Sequence, residues 1–385
     1  MSELPDDTTR ELKHAYGESG PWSIGIEEEF QLVDTETLAL VPRVEEVLGQ
    51  ASDHERPHIK HELMQSVVEI ATPPCNDLGQ ARAELADLRG RVSRLARESG
   101  CRVASAGTHP FSRYELQQIT DAERYHQLVD KLRWVAQREL IFGMHVHVGV
   151  PDADQAMYVF NHLRTILPEL LALSANSPFW QGRDTGLSSS RSTVFASFPR
   201  SGIPPRFVDW DEWVSLVRRA MHVGAIDDYT YLWWDVRPHP KFGTVEVRVC
   251  DAQTSIDDTL ALAAVIQAAA AWLGSRYDDG DRSIPPPRFL IEENKWNAAR
   301  HGVEGEFIAF EDDTRISTRD ALARLFDRVA DHATQLGTTA ELEHARGMVE
   351  QVGAERQRRA YEQHRDLRDV ARAVLLAEEA DTARS

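Results

Sequence analysis

A chain of 385 residues is long enough to bury a substantial core, and 42% hydrophobic with 27% charged residues is an ordinary globular composition. The excess of 62 acidic over 43 basic residues, a formal charge of −19, argues against nonspecific binding to nucleic acid or anionic membranes. It also means that any anionic substrate must be met by locally gathered cations or arginines.

Residues 1–20 are polar and acidic, lack the apolar core of a signal peptide, and read as a loose tail before a single domain over 21–385. From Trp22 to Val33 the sequence alternates. Ile24, Ile26, Glu28, Phe30 and Leu32 face one way; Gly25, Glu27, Glu29 and Gln31 face the other, as in a strand of period two. His61–Thr72 is a second extended segment, closed by Pro73-Pro74. Asn76 or Asp77 caps the following helix, whose apolar stripe is Leu78, Ala81, Leu85, Leu88, Val92 and Leu95 and whose stop is Gly100. Arg102–Ala106 is a short strand and 121–139 a helix. Phe142–Val150 alternates again, with His145 and His147 on one face.

Asp154–Ser174 is helical, with a kink or break at Pro168. Residues 175–205 turn to Gly, Ser, Pro and Arg without periodicity and read as a long functional loop. Tyr231–Val236 and Thr244–Cys250 are strands. Ser255 with Asp258 forms a capping box before an Ala-rich helix to Leu273. Its apolar run, Leu260–Leu273, is shorter than the about 20 residues that span a bilayer and reads as a buried helix. Residues 288–302 are helical at their centre, and 318–383 are helices rich in Ala, Arg and Glu. Strands with one polar and one apolar side, scattered among helices, indicate an α+β fold on an antiparallel sheet with one open face. Cys75, Cys101 and Cys250 have no CxxC spacing and suggest a reducing, cytoplasmic setting without disulfides or structural zinc.

Four segments bring ionisable groups to a polar face: Glu27 and Glu29, Glu62 and Glu69, His145 and His147, Glu246 and Arg248. Each pair alone suits a solvated strand. Together the carboxylates repel and raise one another's pKa unless cations are present. Oxygen-rich ligands with an imidazole suit Mg²⁺ or Mn²⁺ better than zinc, and Mg²⁺ points to a nucleoside triphosphate. There is neither a GxxxxGK[ST] phosphate loop nor an HExxH zinc-protease motif.

The segments GIEEEF, HELMQSVVEIATPP, GMHVHVG, ANSPFWQGRDTGLSSSRS, WWDVRPHPKFGTVEVRVCD and ENKWNAARHG occur in that order between about residue 22 and 302. In them the chain resembles the type 2 glutamate–cysteine ligase family, in its bacterial carboxylate–amine ligase branch, within the glutamine-synthetase-like superfamily. The resemblance implies a curved antiparallel sheet with helices on its outer face and the active site on the concave one. It implies a single catalytic domain over 21–385, with a helical C-terminal part at 318–383. It also implies metal ligands at Glu27, Glu29, Glu62, Glu69, His145 and Glu246, and catalytic roles for Arg248 and His147. Arg191, Lys295 and Arg300 would contact the nucleotide or substrate carboxylate.

The implied reaction uses ATP and Mg²⁺ (or Mn²⁺) to phosphorylate the side-chain carboxylate of an L-glutamate-like acid. An amine such as cysteine then attacks the acyl phosphate, giving a γ-glutamyl amide, ADP and phosphate. Two alternatives use the same face: a guanidino-kinase-like phosphotransferase, which would stop at a phosphorylated nitrogen, and a metal-dependent hydrolase, which would need no ATP. The expected partners are small molecules, with neither nucleic acid nor membrane, and a homodimer is the expected assembly.

Overall fold

The structure is a computed structural model that describes residues 13–377; residues 1–12 of the expected tail and residues 378–385 lie outside the described residues. Residues 13–20, expected to be loose, are turns pinned to the domain. Ala15 N–H donates to the Pro240 carbonyl (2.9 Å), Gly17 N–H to that of Val150 (3.0 Å), and Tyr16 is buried.

The chain then runs through β1 (Ile24–Asp34), α1 (Val44–Gln50), β2 (Ile59–His61), β3 (Val67–Ala71), α2 (Leu78–Glu98) and β4 (Cys101–Ala104). Next come α3 (Glu123–Leu132), α4 (Trp134–Gln137), β5 (Met144–Gly149), α5 (Ala153–Leu163) and α6 (Leu167–Ser174). Segment 175–205 holds β6 (Phe179–Trp180), β7 (Arg183–Asp184) and α7 (Ser190–Phe195), followed by α8 (Trp210–His222), β8 (Val236–His239) and β9 (Thr244–Val247). The C-terminal part is α9 (Ile256–Asp278), α10 (Arg288–His301), the hairpin β10 (Glu306–Ala309) and β11 (Thr314–Ser317), then α11 (Thr318–Gln335), α12 (Thr339–Met348), α13 (Gly353–His364) and α14 (Leu367–Ala373).

Seven strands form one sheet in the order β2-β3-β1-β5-β9-β8, with β4 also paired to β1, and every pairing is antiparallel. Helices α2, α5 and α9 pack on one face. There Ile24, Ile26, Phe30, Val146, Val148, Val245 and Val247 are buried in the main core. The expected alternation of β1 holds, with one addition. Glu28 lies on the apolar side, fully buried, and Arg89 of α2 clasps it with Nε and Nη2 at 2.8 and 2.5 Å. A carboxylate there is tolerable because the guanidinium fork satisfies both oxygens.

Several expected elements differ in extent. The single extended segment at 61–72 is the pair β2 and β3 joined through Glu62–Ser66. The helix at 121–139 breaks at Arg133, whose φ is 53°. The strand expected at 231–236 begins only at Val236, because Tyr229–Tyr231 form a 3-10 turn. Asp77, not Asn76, caps α2 by accepting from Gln80 N–H. Ser255 caps α9 as expected, but the box is not closed by Asp258, whose carboxylate is held by Arg356 and His344. With 23 residues α9 is long and apolar enough to cross a bilayer, yet 83% of its most apolar window is buried inside the protein, so it is a core helix.

Candidate active site

Antiparallel register lines up the polar face of the sheet in cross-strand rows. Lys60, Glu69 and Glu29 are opposed across β2, β3 and β1. Glu27 faces His145 across β1 and β5, and His147, Glu246 and Arg237 are opposed across β5, β9 and β8. Directly opposed side chains lie about 5 Å apart at Cβ, close enough for charges to interact in every row.

The β5–β9–β8 side compensates its own charge. His145 Nδ1 lies 3.0 Å from Glu27 Oε2, and His147 Nε2 lies 3.6 Å from Glu27 Oε1 and 4.0 Å from Glu246 Oε1. Arg237 Nε meets Glu246 Oε2 at 2.5 Å, and Arg248 Nη1 contacts the other oxygen. Burial alone would raise the pKa of Glu246, but Arg237 and Arg248 override it and hold it well below the usual carboxylate range. Burial likewise opposes ionisation of Glu27, and the hydrogen bond from His145, with the nearby His147 imidazole, overcomes it. Burial and the neighbouring Arg248 push His145 down to about 4, so its ring is neutral at physiological pH. Such pairs are stable because each buried charge has a partner.

The β2–β3–β1 side has no such balance. Burial and the charges of Glu27 and Glu62 raise Glu69 well above the ordinary value, against which Lys60 at 3.5 Å is a weak counterweight. Burial and Glu29 raise Glu62, which sits in the connection between β2 and β3. Glu29 is raised by burial despite Arg191 and a 2.6 Å hydrogen bond from Gly143 N–H. Glu139, just beyond α4, is pushed well above the usual range by burial and by Glu62 and Glu29.

A pocket of ≈ 40 Å³ lies among Glu29, Glu62, Glu139, His145, Arg191 and Arg248. Tyr125, Leu128 and Val129 of α3 pack against the apolar cluster of Leu63, Met64, Phe195 and Phe198 beside it. That volume suits an ion or about one water, not a nucleotide.

Arg191 was expected on a loose loop. It is instead buried on α7, and its guanidinium donates to the carbonyls of Val249 and Arg248 at 3.2 Å each. Gly143 permits this approach, since a Cβ there would collide with the guanidinium. The Nε atoms of Arg191 and Arg248 are buried without a partner among the described residues.

The geometry thus brings together Glu27, Glu29, Glu62, Glu69, His145, His147, Glu246, Arg248 and Arg191. It redistributes the two histidines. Glu27, His147 and Glu246 offer ligand atoms within 4.8 Å of one another, while His145 is bound to Glu27 and flanked by Arg248. Thr244 Oγ1 holds His147 Nδ1 at 3.0 Å, leaving the buried Nε2 without a hydrogen-bond partner among the described residues. The expected ligand His145 thus sits at Glu27 and Arg248, while His147, expected in a catalytic role, joins Glu27 and Glu246.

Lys295 reaches the β8 edge but is engaged by Asp235 at 2.6 Å, and Arg300 is exposed and donates to the Gly186 carbonyl. Neither contacts the carboxylates. Arg237 and Glu139 were missed. Arg237 could have been found from its alternation with Asp235 and His239, which puts it opposite Glu246 once the turn at Lys241–Gly243 is recognised. Nothing in the sequence near Glu139 announces its position, which depends on where α3 and α4 pack.

Comparison with known proteins gives the family and the fold. The model for glutamate–cysteine ligase family 2 matches residues 23–373. A Rubrobacter xylanophilus protein provisionally named glutamate–cysteine ligase 2-1 is 45% identical over 363 residues, covering 93% of this chain and 95% of its own. A Sorangium cellulosum protein provisionally named glutamate–cysteine ligase 2 is 46% identical over 345 residues, covering 89% and 92%. Among solved structures, a Francisella tularensis glutamate–cysteine ligase in complex with AMP shares the fold at a TM-score of 0.70 and 15% identity, over 91% of this chain and 87% of that one. A bifunctional glutathione synthetase from Pasteurella multocida gives 0.70 at 17% identity, over 92% of this chain and 52% of that one.

Proposed function

This chain belongs to glutamate–cysteine ligase family 2, whose members are ATP-dependent C–N ligases, and from that premise we propose the reaction it performs. ATP phosphorylates the side-chain carboxylate of an L-glutamate-like acid, and an amine such as cysteine displaces the phosphate to give a γ-glutamyl amide. The carrying observation is the cross-strand arrangement of carboxylates facing Arg248 and Arg191, whose buried Nε groups have no protein partner among the described residues.

The donor set fits divalent cations. The unpartnered His147 Nε2 with Glu27 and Glu246 would hold one, and the oxygen-rich set Glu29, Glu62 and Glu69 another. Bound Mg²⁺ or Mn²⁺ would supply charge neutralisation for the phosphate oxygens. The protein's own groups orient the reactants. Arg248 and Arg191 offer N–H groups to phosphoryl or carboxylate oxygens in a site walled from water.

The acid's oxygen attacks the γ-phosphorus as ADP leaves, and the amine nitrogen then attacks the acyl carbon as phosphate leaves. The amine must also lose a proton. Glu27 and Glu246, held well below the usual range, are poor acceptors.

The same reading assigns the protein to the reducing cytoplasm, where its three buried thiols stay free, acting on small molecules and not on nucleic acid or membranes. A homodimer is the expected assembly, and light scattering that reports a 43.5 kDa particle would exclude it. A matrix of acids and amines incubated with MgATP and read by mass spectrometry tests the reaction. Amide with stoichiometric ADP is expected from glutamate. A phosphorylated amine without amide would make the protein a kinase, and turnover without ATP a hydrolase.

A further inference from the structure

Asp251, just past β9, is fully buried and has no ion-pair partner among the described residues. Its carboxylate instead accepts three hydrogen bonds. Oδ2 takes them from Asn176 N–H at 2.8 Å and Ser177 Oγ–H at 2.7 Å, and Oδ1 from Ser189 Oγ–H at 2.9 Å. A group that only accepts suits three donors, and charge-assisted bonds offset the cost of burying it. Burial still pushes its pKa up, against the nearby Arg191 charge. Gly107 makes the room, since a Cβ there would stand 2.6 Å from Asp251 Cγ.

All three donors lie in segment 175–205 and lead to Arg191. Ser177 Oγ, while donating to Asp251, accepts Arg191 N–H at 3.1 Å. Ser189 caps α7 by accepting Ser192 N–H, and Arg191 is the second residue of that helix. At the other end, the Arg191 guanidinium donates to the carbonyls of Arg248 and Val249, in the stretch that closes at Asp251. Backbone and head of Arg191 are thus both tied to residues 248–251, which also carry Arg248. A helix of six residues is too short to hold itself by propagation, so its placement has to come from such links.

We propose that Asp251 is a positioning residue: by gripping Ser177 and Ser189 it fixes Arg191 beside Arg248, so that both guanidiniums meet the same anionic group. The task given to Arg191 rests on the reaction proposed above; its placement does not, and the two fail separately. In protein carrying isotope-labelled arginine, the Nε–H signals of Arg191 and Arg248 are identified by their loss in Arg191→Lys and Arg248→Lys. Asp251→Asn keeps the size but turns one acceptor into a donor, and it should shift or broaden the Arg191 signal. Asp258→Asn, which disturbs the buried contacts to Arg356 and His344 instead, should leave that signal in place.

In turnover, Asp251→Asn should lower kcat about tenfold and keep KM for ATP and glutamate within about threefold. In an Arg191→Gln background the same change should cost less than about threefold, because a residue that acts through Arg191 has nothing left to position. If Asp251→Asn does not fold, Ser177→Ala, which removes the hydroxyl between Asp251 and Arg191, should still move the signal and lower kcat about threefold. An unmoved Arg191 signal, or equal losses in both backgrounds, would overturn the proposal. Absence of ligation in the unmodified protein would overturn the reaction instead, with the Arg191 signal still deciding the role of Asp251.

Discussion

The two sides of the polar sheet face both carry buried carboxylates and treat them in opposite ways. On the β5–β9–β8 side, Glu246, with Glu27 reaching over from β1, meets His145, His147, Arg237 and Arg248, and burial is outweighed by those partners. Around β2, β3 and β1, the cations near Glu29, Glu62 and Glu69, with Glu139 nearby, are a half-exposed Lys60 and the shared Arg191 and Arg248, and burial prevails. Charges whose partners fold with them form a framework. On the proposed reading, charges left without partners are where a bound cation would relieve the most repulsion.

Removing a member from each side should separate the two. Glu246→Ala leaves the buried Arg237 and Arg248 without their shared carboxylate, so it should cost about 3–5 kcal/mol in urea denaturation and abolish ligation. Arg248→Lys keeps the charge but loses the fork. Turnover should fall about a hundredfold while ATP affinity changes only severalfold, and the reverse pattern in steady-state kinetics would give Arg248 a ground-state binding role. Glu69→Gln has the opposite sign in stability. It should raise the metal-free protein by about 1 kcal/mol in the same denaturation assay while lowering activity, because it removes a strained charge.

The pH dependence follows from the same contrast. Glu62 and Glu69 have raised folded pKa values, so their contribution to stability is complete below about pH 4.3, the unfolded value, and is lost as pH rises through the folded ones. Glu27 and Glu246 are depressed, so theirs is present above about pH 4.3 and lost as pH falls. Metal-free protein should therefore melt lower on both the acid and the alkaline side of an optimum. Added Mg²⁺ should flatten the alkaline side most in a thermal-melting series.

Much of this was legible in the sequence because period-two alternation states which residues share a face. The alternation in β1 and β5 gave Glu27, Glu29, His145 and His147 their side of the sheet before any coordinates. What alternation cannot give is register, and register decides which histidine meets Glu246. One step of pairing places His147, not His145, opposite that carboxylate. Segment 175–205 misled for a different reason. Its polar residues read as a long functional loop without regular structure, but Ser190–Phe195 form α7, and Ser177, Ser189 and Arg191 are buried, with both serines hydrogen-bonded to Asp251. The position of Glu139 depends on how distant helices pack, which leaves no local pattern.

Counting divalent ions tests the central claim most directly. Mn²⁺ titration followed by electron paramagnetic resonance, with a non-hydrolysable ATP analogue at neutral pH, should show at least two ions per chain. Glu62→Gln/Glu69→Gln should remove one of them, and Glu246→Gln the other. A single ion untouched by Glu62→Gln/Glu69→Gln, or none at all, would contradict the view that the uncompensated side is completed by metal.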